Sequence, residues 1–93
     1  MEAMTIQELH NKLIELGVSE DRYYLHGLHG SKNDDDKFSL TIKRGDNSIV
    51  FDVYFKEKGQ VYSLGRFTEE HEACDYLFKL IKECKEIEDK YSN

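Results

Sequence analysis

The sequence predicts an α+β fold: a two-layer sandwich in which a four-stranded antiparallel meander carries two helices on one face, in the order α-β-β-β-β-α. Three observations lead there. Apolar residues recur at helical spacing near both ends of the chain, at Ile6, Leu9, Leu13 and Leu16, and again at Ala73, Leu77, Leu80, Cys84, Ile87 and Tyr91. Between these stretches apolar and polar residues alternate, as they do where a strand has one dry and one wet face. With 93 residues the chain can bury one core and not two, so residues 1–93 are read as a single domain. Two amphipathic helices and a meander with one apolar face are satisfied together when both helices cover that face.

The first helix is expected over residues 5–16. Thr5 and Glu8 have the spacing of a capping box, and Gly17 suits the left-handed residue that ends a helix, with Val18 folding back on Leu13. Tyr23 to Leu28 has strand composition and breaks at Gly30-Ser31; residues 31–37 are loop. Phe38, Leu40 and Ile42 alternate with Ser39, Thr41 and Lys43 in a second strand. Gly45-Asp46-Asn47 turns the chain into a third, where Ile49, Phe51, Val53 and Phe55 alternate with Val50, Asp52 and Tyr54. Lys58-Gly59 leads to a fourth strand, Val61 to Phe67, whose facing is ambiguous. Thr68 is a good N-cap for a helix over residues 69–90, with Glu69 and Glu70 in the first turn where the dipole favours negative charge. The uncovered sheet face is expected to carry Tyr24, His26, Thr41, Val50, Asp52 and Tyr54. That mixture suits an interface, although antiparallel sheets also leave one face in water.

Composition narrows the function. Thirteen Lys plus Arg against nineteen Asp plus Glu leave a formal charge of -6, which disfavours nucleic acid as a partner because phosphates need a basic surface. The charge is uneven: residues 1–37, 38–67 and 68–93 carry -4, +2 and -4. The acid therefore sits in the helices and the first loop. Asp34, Asp35 and Asp36 lie in a loop, outside the helical pairs that account for part of the other charge, and three unpaired loop carboxylates serve either solubility or the attraction of a basic partner. Cys74 and Cys84 lie ten residues apart in one helical pattern, about 15 Å by the helical rise, too far to be bonded to each other. No membrane-length apolar run and no secretory pattern occurs, so a cytoplasmic protein without membrane association is expected.

Chemical motifs are weak. His26, His29, His71 and Cys74 have the right atoms for zinc, yet residues three apart in a strand point to opposite faces and Cys74 falls on an apolar stripe. His71-Glu72 lacks the second histidine of a zincin helix, Asp75 standing in its place. Arg44-Gly45-Asp46 reads as turn chemistry. The helix-strands-helix order is shared with double-stranded-RNA-binding domains, but Thr68-Glu69-Glu70-His71-Glu72 would repel a phosphate where such modules carry lysines. Neither a nucleophile elbow nor a phosphate loop is present. The expectation is a protein that is not an enzyme, with no metal and no cofactor.

Three segments together resemble the small α+β immunity proteins of bacterial polymorphic toxin systems. They are Tyr23-Tyr24-Leu25-His26-Gly27-Leu28, then Val53-Tyr54-Phe55-Lys56-Glu57-Lys58-Gly59 with its Glu-basic-Gly turn, and Phe67-Thr68-Glu69-Glu70-His71-Glu72-Ala73-Cys74-Asp75-Tyr76-Leu77. The resemblance implies a non-catalytic protein that binds a cognate toxin domain and covers its active site or substrate groove. A nuclease toxin presents a basic groove, whose field an acidic inhibitor exploits for fast association. The contact residues expected on this reading are Asp34, Asp35 and Asp36 in the loop, Asp52, Tyr54 and Glu57 on the third strand and its turn, and Glu69 and Glu70 at the helix start. The alternative is a small regulatory or adaptor protein that binds an unrelated protein or itself. The oligomeric state is left open.

Overall fold

The computed structural model describes residues 4–91. Helix α1 (Ile6–Leu16) begins and ends as its sequence predicts. Thr5 Oγ1 accepts the Glu8 N–H at 3.1 Å. Gly17 takes a left-handed φ of 90°, and the Gly17 and Val18 N–H groups donate to the Ile14 and Leu13 carbonyls, each at 3.0 Å. Those two bonds are the Schellman stop, and they turn Val18 into the core.

The sheet has five strands, and it is mixed. β1 (Tyr23–Leu25), β2 (His29–Gly30), β3 (Lys37–Arg44), β4 (Ile49–Glu57) and β5 (Gln60–Phe67) lie in the order β2-β1-β3-β4-β5. The single strand expected from Tyr23 to Leu28 is divided, because His26 and Gly27 have φ of 51° and 74° and reverse the chain after Leu25. His29 and Gly30 then return beside β1 as a short edge strand. That extra reversal makes β1 parallel to β3, with Tyr23 beside Phe38 and Leu25 beside Leu40. The predicted four-stranded antiparallel meander and its α-β-β-β-β-α order are thus corrected to α-β-β-β-β-β-α with one parallel pair. Gly30 is fixed in this arrangement: its φ is 79°, and a Cβ there would stand 2.6 Å from the Tyr23 carbonyl oxygen.

From β3 onward the meander follows the sequence. Phe38, Leu40 and Ile42 pair with Phe55, Val53 and Phe51. Lys58 and Gly59 adopt φ of 51° and 81°, the left-handed pair that a two-residue hairpin requires. The ambiguous facing of β5 is explained by a bulge. Val53 pairs with Gly65 and Tyr54 with Ser63, so Leu64 is an extra residue that switches the alternation. Leu64 and Phe67 both pack on the core in consequence, while Arg66 stands opposite Asp52.

Helix α2 (Glu70–Tyr91) starts one residue later than a Thr68 cap implies, the Glu69 carbonyl accepting the Ala73 N–H at 3.3 Å. Both helices cover the same sheet face, as predicted. Ile6, Leu9 and Leu13 of α1 meet Ala73, Leu77 and Ile81 of α2 over Leu25, Leu40 and Val53. Ile87, expected on the buried stripe, is 58% exposed. The Tyr91 side chain, placed on the same stripe by the periodicity, lies outside the described residues. Cys74 is buried and Cys84 half-buried, both as free thiols; burial pushes the Cys74 thiol up to about 12, so it packs as a small apolar group. Among the described residues no helix is long and apolar enough to cross a membrane.

Candidate functional site

The sheet face opposite the helices carries the candidate site. Its alternation from β3 and β4 puts Ser39, Thr41 and Lys43 beside Tyr54, Asp52 and Val50. A solvated face would leave these exposed, yet Ser39, Asp52 and Tyr54 are 0%, 6% and 8% exposed. For Tyr54 the reason is the loop over residues 31–36. It runs from edge strand β2 to the start of β3 and folds against the outer face, so that Asp34 Oδ2 accepts the Tyr54 hydroxyl at 2.6 Å and Asp34 Oδ1 accepts Lys56 Nζ at 3.3 Å. Asp35 lies 3.5 Å from the same Lys56 ammonium. Asp36 Oδ1 accepts the backbone N–H of Lys58 in the β4–β5 turn at 3.3 Å. The three aspartates expected to be unpaired are therefore each held by the protein's own sheet, through partners about twenty residues away in sequence.

The loop is further ordered by its own polar groups. Asn33 Oδ1 accepts the Asp35 N–H and Lys37 Nζ, both at 3.2 Å, and Ser31 Oγ accepts Lys37 Nζ at 3.0 Å. Side-chain bonds of this Asx kind substitute for ladder bonds in irregular backbone.

A second cluster crosses three strands. Asp52 of β4 receives Lys43 Nζ from β3 and Arg66 Nε from β5, each at 2.9 Å. Burial pushes the Asp52 carboxyl up, but the hydrogen bonds and charges of Lys43 and Arg66 more than offset this and hold it below its usual range. Asp34 is likewise held low, mainly by the Tyr54 hydroxyl, with Lys56 helping against partial burial. Tyr54 is driven well above the ordinary tyrosine range, first by burial and then by the Asp34 carboxylate, so it stays a donor. The charge states of these three groups are consequently fixed across neutral pH. Among the described residues no buried side-chain nitrogen or oxygen lacks a partner, which is how a polar network becomes rigid.

Between the two clusters lies an open concavity of about 550 Å³, bordered by Asp34, Asp52, Tyr54, Val61, Ser63 and Arg66 among others. Six of the eight residues expected from sequence, Asp34, Asp35, Asp36, Asp52, Tyr54 and Glu57, fall on this face or at the hairpin end beside it. Tyr54 stands there as a buried post for the loop, not as a protruding aromatic. Glu69 and Glu70 lie elsewhere. The register pairs Glu57 with Gln60 and Phe51 with Phe67, so the start of α2 is at the opposite end of the β4–β5 pair. Glu70 is tied inward, its Oε2 accepting the Ile6 N–H of α1 at 2.9 Å; it caps the other helix. Lys43, Lys56, Val61 and Arg66 were not singled out in sequence. Period-two alternation already places Lys43 and Lys56 beside Thr41 and Tyr54, whereas Arg66 is legible only once the bulge is known.

The four possible zinc ligands are not brought together. His26 sits in the turn after β1, off the sheet face, where its Nδ1 accepts the Ile42 N–H at 3.1 Å. His29 stacks on His10 with ring centres 4.6 Å apart, and Cys74 is in the core. His71 is grouped with Glu69 and Glu72 on the exposed start of α2, their ligand atoms within 4.8 Å of one another. On the helix side a smaller hollow of about 280 Å³ is bordered by Arg22, Asp36, Phe38, Phe55, Ile81 and Cys84, among others. No family model, no curated protein and no solved structure matches the chain.

Proposed function

We propose that this protein is a non-catalytic immunity protein that binds a cognate bacterial toxin domain, basic and nuclease-like in chemistry, and covers its active site or substrate groove. The observation that carries the reading is the outer sheet face, a concave surface whose ionisable groups are already paired and fixed before any partner arrives. Such preorganisation lowers the cost of ordering side chains at an interface. The formal charge of -6 gives long-range attraction to a basic partner, while the mixed charges of Asp34, Asp35, Lys43, Asp52 and Arg66 supply register at contact. A chain exposing 6381 Å² has ample room for the about 800 Å² of a standard interface.

Within that surface, Asp35, 66% exposed while paired with Lys56, and the exposed Glu57 are the acids that can meet a basic partner directly, and Asp34 and Asp36 act by holding the loop in place. The deciding experiment is co-expression with the product of the adjacent upstream reading frame. Growth where that product alone kills supports immunity, and unrelieved killing sinks it in favour of the adaptor reading. The exposed apolar residues Val61, Tyr62 and Ile87 are what that second reading rests on. Should protection be seen, Asp35→Asn with Glu57→Gln is expected to slow association severalfold at low salt and little at high salt, because steering is screened.

A further inference from the structure

The outer sheet face does not carry the sign of the chain. Residues 38–67 hold +2 in a chain of -6, and two of their cations meet at one carboxylate. Thr41, Asp52 and Arg66 stand side by side on β3, β4 and β5, and Lys43 is the next β3 residue on that face. Asp52 is buried beneath Lys43 Nζ and Arg66 Nε, whose side chains are 64% and 69% exposed. One buried acid thus orients two exposed cations and cancels the charge of only one. Arg66 reaches Asp52 through Nε, and among the described residues its two terminal amino groups donate to nothing. They form the planar fork that takes a carboxylate in parallel bonds. Thr41, Ser63 and Val61 border the same concavity.

We propose that this end of the concavity seats a single carboxylate side chain, an Asp or Glu of the protein partner, between the Arg66 fork and Lys43. Charge and shape select that occupant. Lys43, Asp52 and Arg66 together keep one positive charge, which a carboxylate neutralises, whereas a phosphate brings more negative charge than that against Asp52. Asp34 adds no demand, being matched by Lys56. A free small acid would be left largely in water by an open hollow, unlike the ligands of enclosed pockets; a side chain on a protein is covered by the interface around it, with Val61 against its apolar stem. Taking the partner to be the toxin domain rests on the function proposed above. A nuclease groove has basic walls and carboxylates at its centre, as metal ligands or as the base that activates water. A cover for it needs cations within and acid beside them, which is how Lys43 and Arg66 stand to Asp35 and Glu57.

The seat is tested first on the protein alone. N-acetylglutamate N-methylamide, which carries one carboxylate, should shift the Arg66 Nε–H resonance and the Thr41, Asp52 and Ser63 amides saturably, and less as salt is added. The glutamine analogue should not, and inorganic phosphate should bind no more tightly. Arg66→Lys, which keeps the charge and loses the fork, and Lys43→Gln, which leaves Arg66 on Asp52, should each weaken the effect about tenfold with unchanged circular dichroism. Arg22→Gln, on the helix side, should leave it intact. Tighter phosphate binding, shifts without a focus on this face, or affinity unchanged in both variants would overturn the seat. Against the product of the adjacent upstream reading frame, the same two variants should speed dissociation about tenfold and not slow association, since neither makes the chain less acidic. Unchanged dissociation would overturn the seat and leave immunity standing. Glutamate shifts intact with no binding of that product by the wild type would support the seat and sink immunity, and loss of both would sink the two together.

Discussion

Leu40 and Ser39 are neighbours on β3, and neither exposes any surface. Leu40 lies under two helices, in a cluster of apolar side chains. Ser39 lies on the other side, opposite Tyr54, whose hydroxyl the 31–36 loop holds through Asp34. The inner face is thus buried by surface removed from water, a non-directional force that tolerates small shifts. Burial on the outer face comes from directed bonds between charged and polar groups, each of which must be met or it costs stability. One sheet therefore has a side that provides stability and a side that provides a defined polar shape, and the proposed contact surface is the second.

The largest effect that sharpens this contrast is on the inner face. Leu77→Ala should cost about 2 to 5 kcal/mol in urea unfolding; a loss under about half a kcal/mol would mean α2 is not docked through that residue. Tyr54→Phe breaks the outer face at its post. It should cost about 1 to 2 kcal/mol, the worth of a hydrogen bond to a partly solvated carboxylate. Combined with Asp34→Asn it should cost little more than either change alone, and simple additivity would show that the loop does not rest on Tyr54.

The two faces should also part with pH. Asp34 and Asp52 are held below their ordinary value of 3.8 in the folded chain, so the unfolded chain takes up their protons first. Their contribution is complete above that value and fades as pH falls through and below it. Asp34→Asn should flatten the acid limb of a stability-against-pH curve, while Leu77→Ala should lower the whole curve and leave its shape alone. The smallest effect is expected from the exposed pair of Arg22 with Glu88, where Arg22→Ala should change stability by under about 1 kcal/mol.

How much of this was legible beforehand follows from the range of each interaction. Thr5, Gly17 and the Lys58-Gly59 turn act on backbone within a few residues, and their roles could be read from local chemistry. The loop carboxylates were visible as a cluster, but their partners were not: Asp34 meets Tyr54 and Lys56 only because β3 and β4 bring residues twenty positions apart into contact. The sequence places Glu70 in the first turn of α2 and among the expected partner contacts, yet it caps α1, sixty-four residues away.

The sequence by itself determined the two amphipathic helices, the alternation of β3 and β4, the hairpin turns and the acidity of the helical layer, because each is set by periodicity or by one residue's backbone preference. Tertiary structure decided the parallel entry of β1, the bulge at Leu64 and the folding of an acidic loop over the outer face. Those depend on which distant groups become neighbours, and a buried carboxylate or an extra residue in a strand has no local signature until its partner is in place.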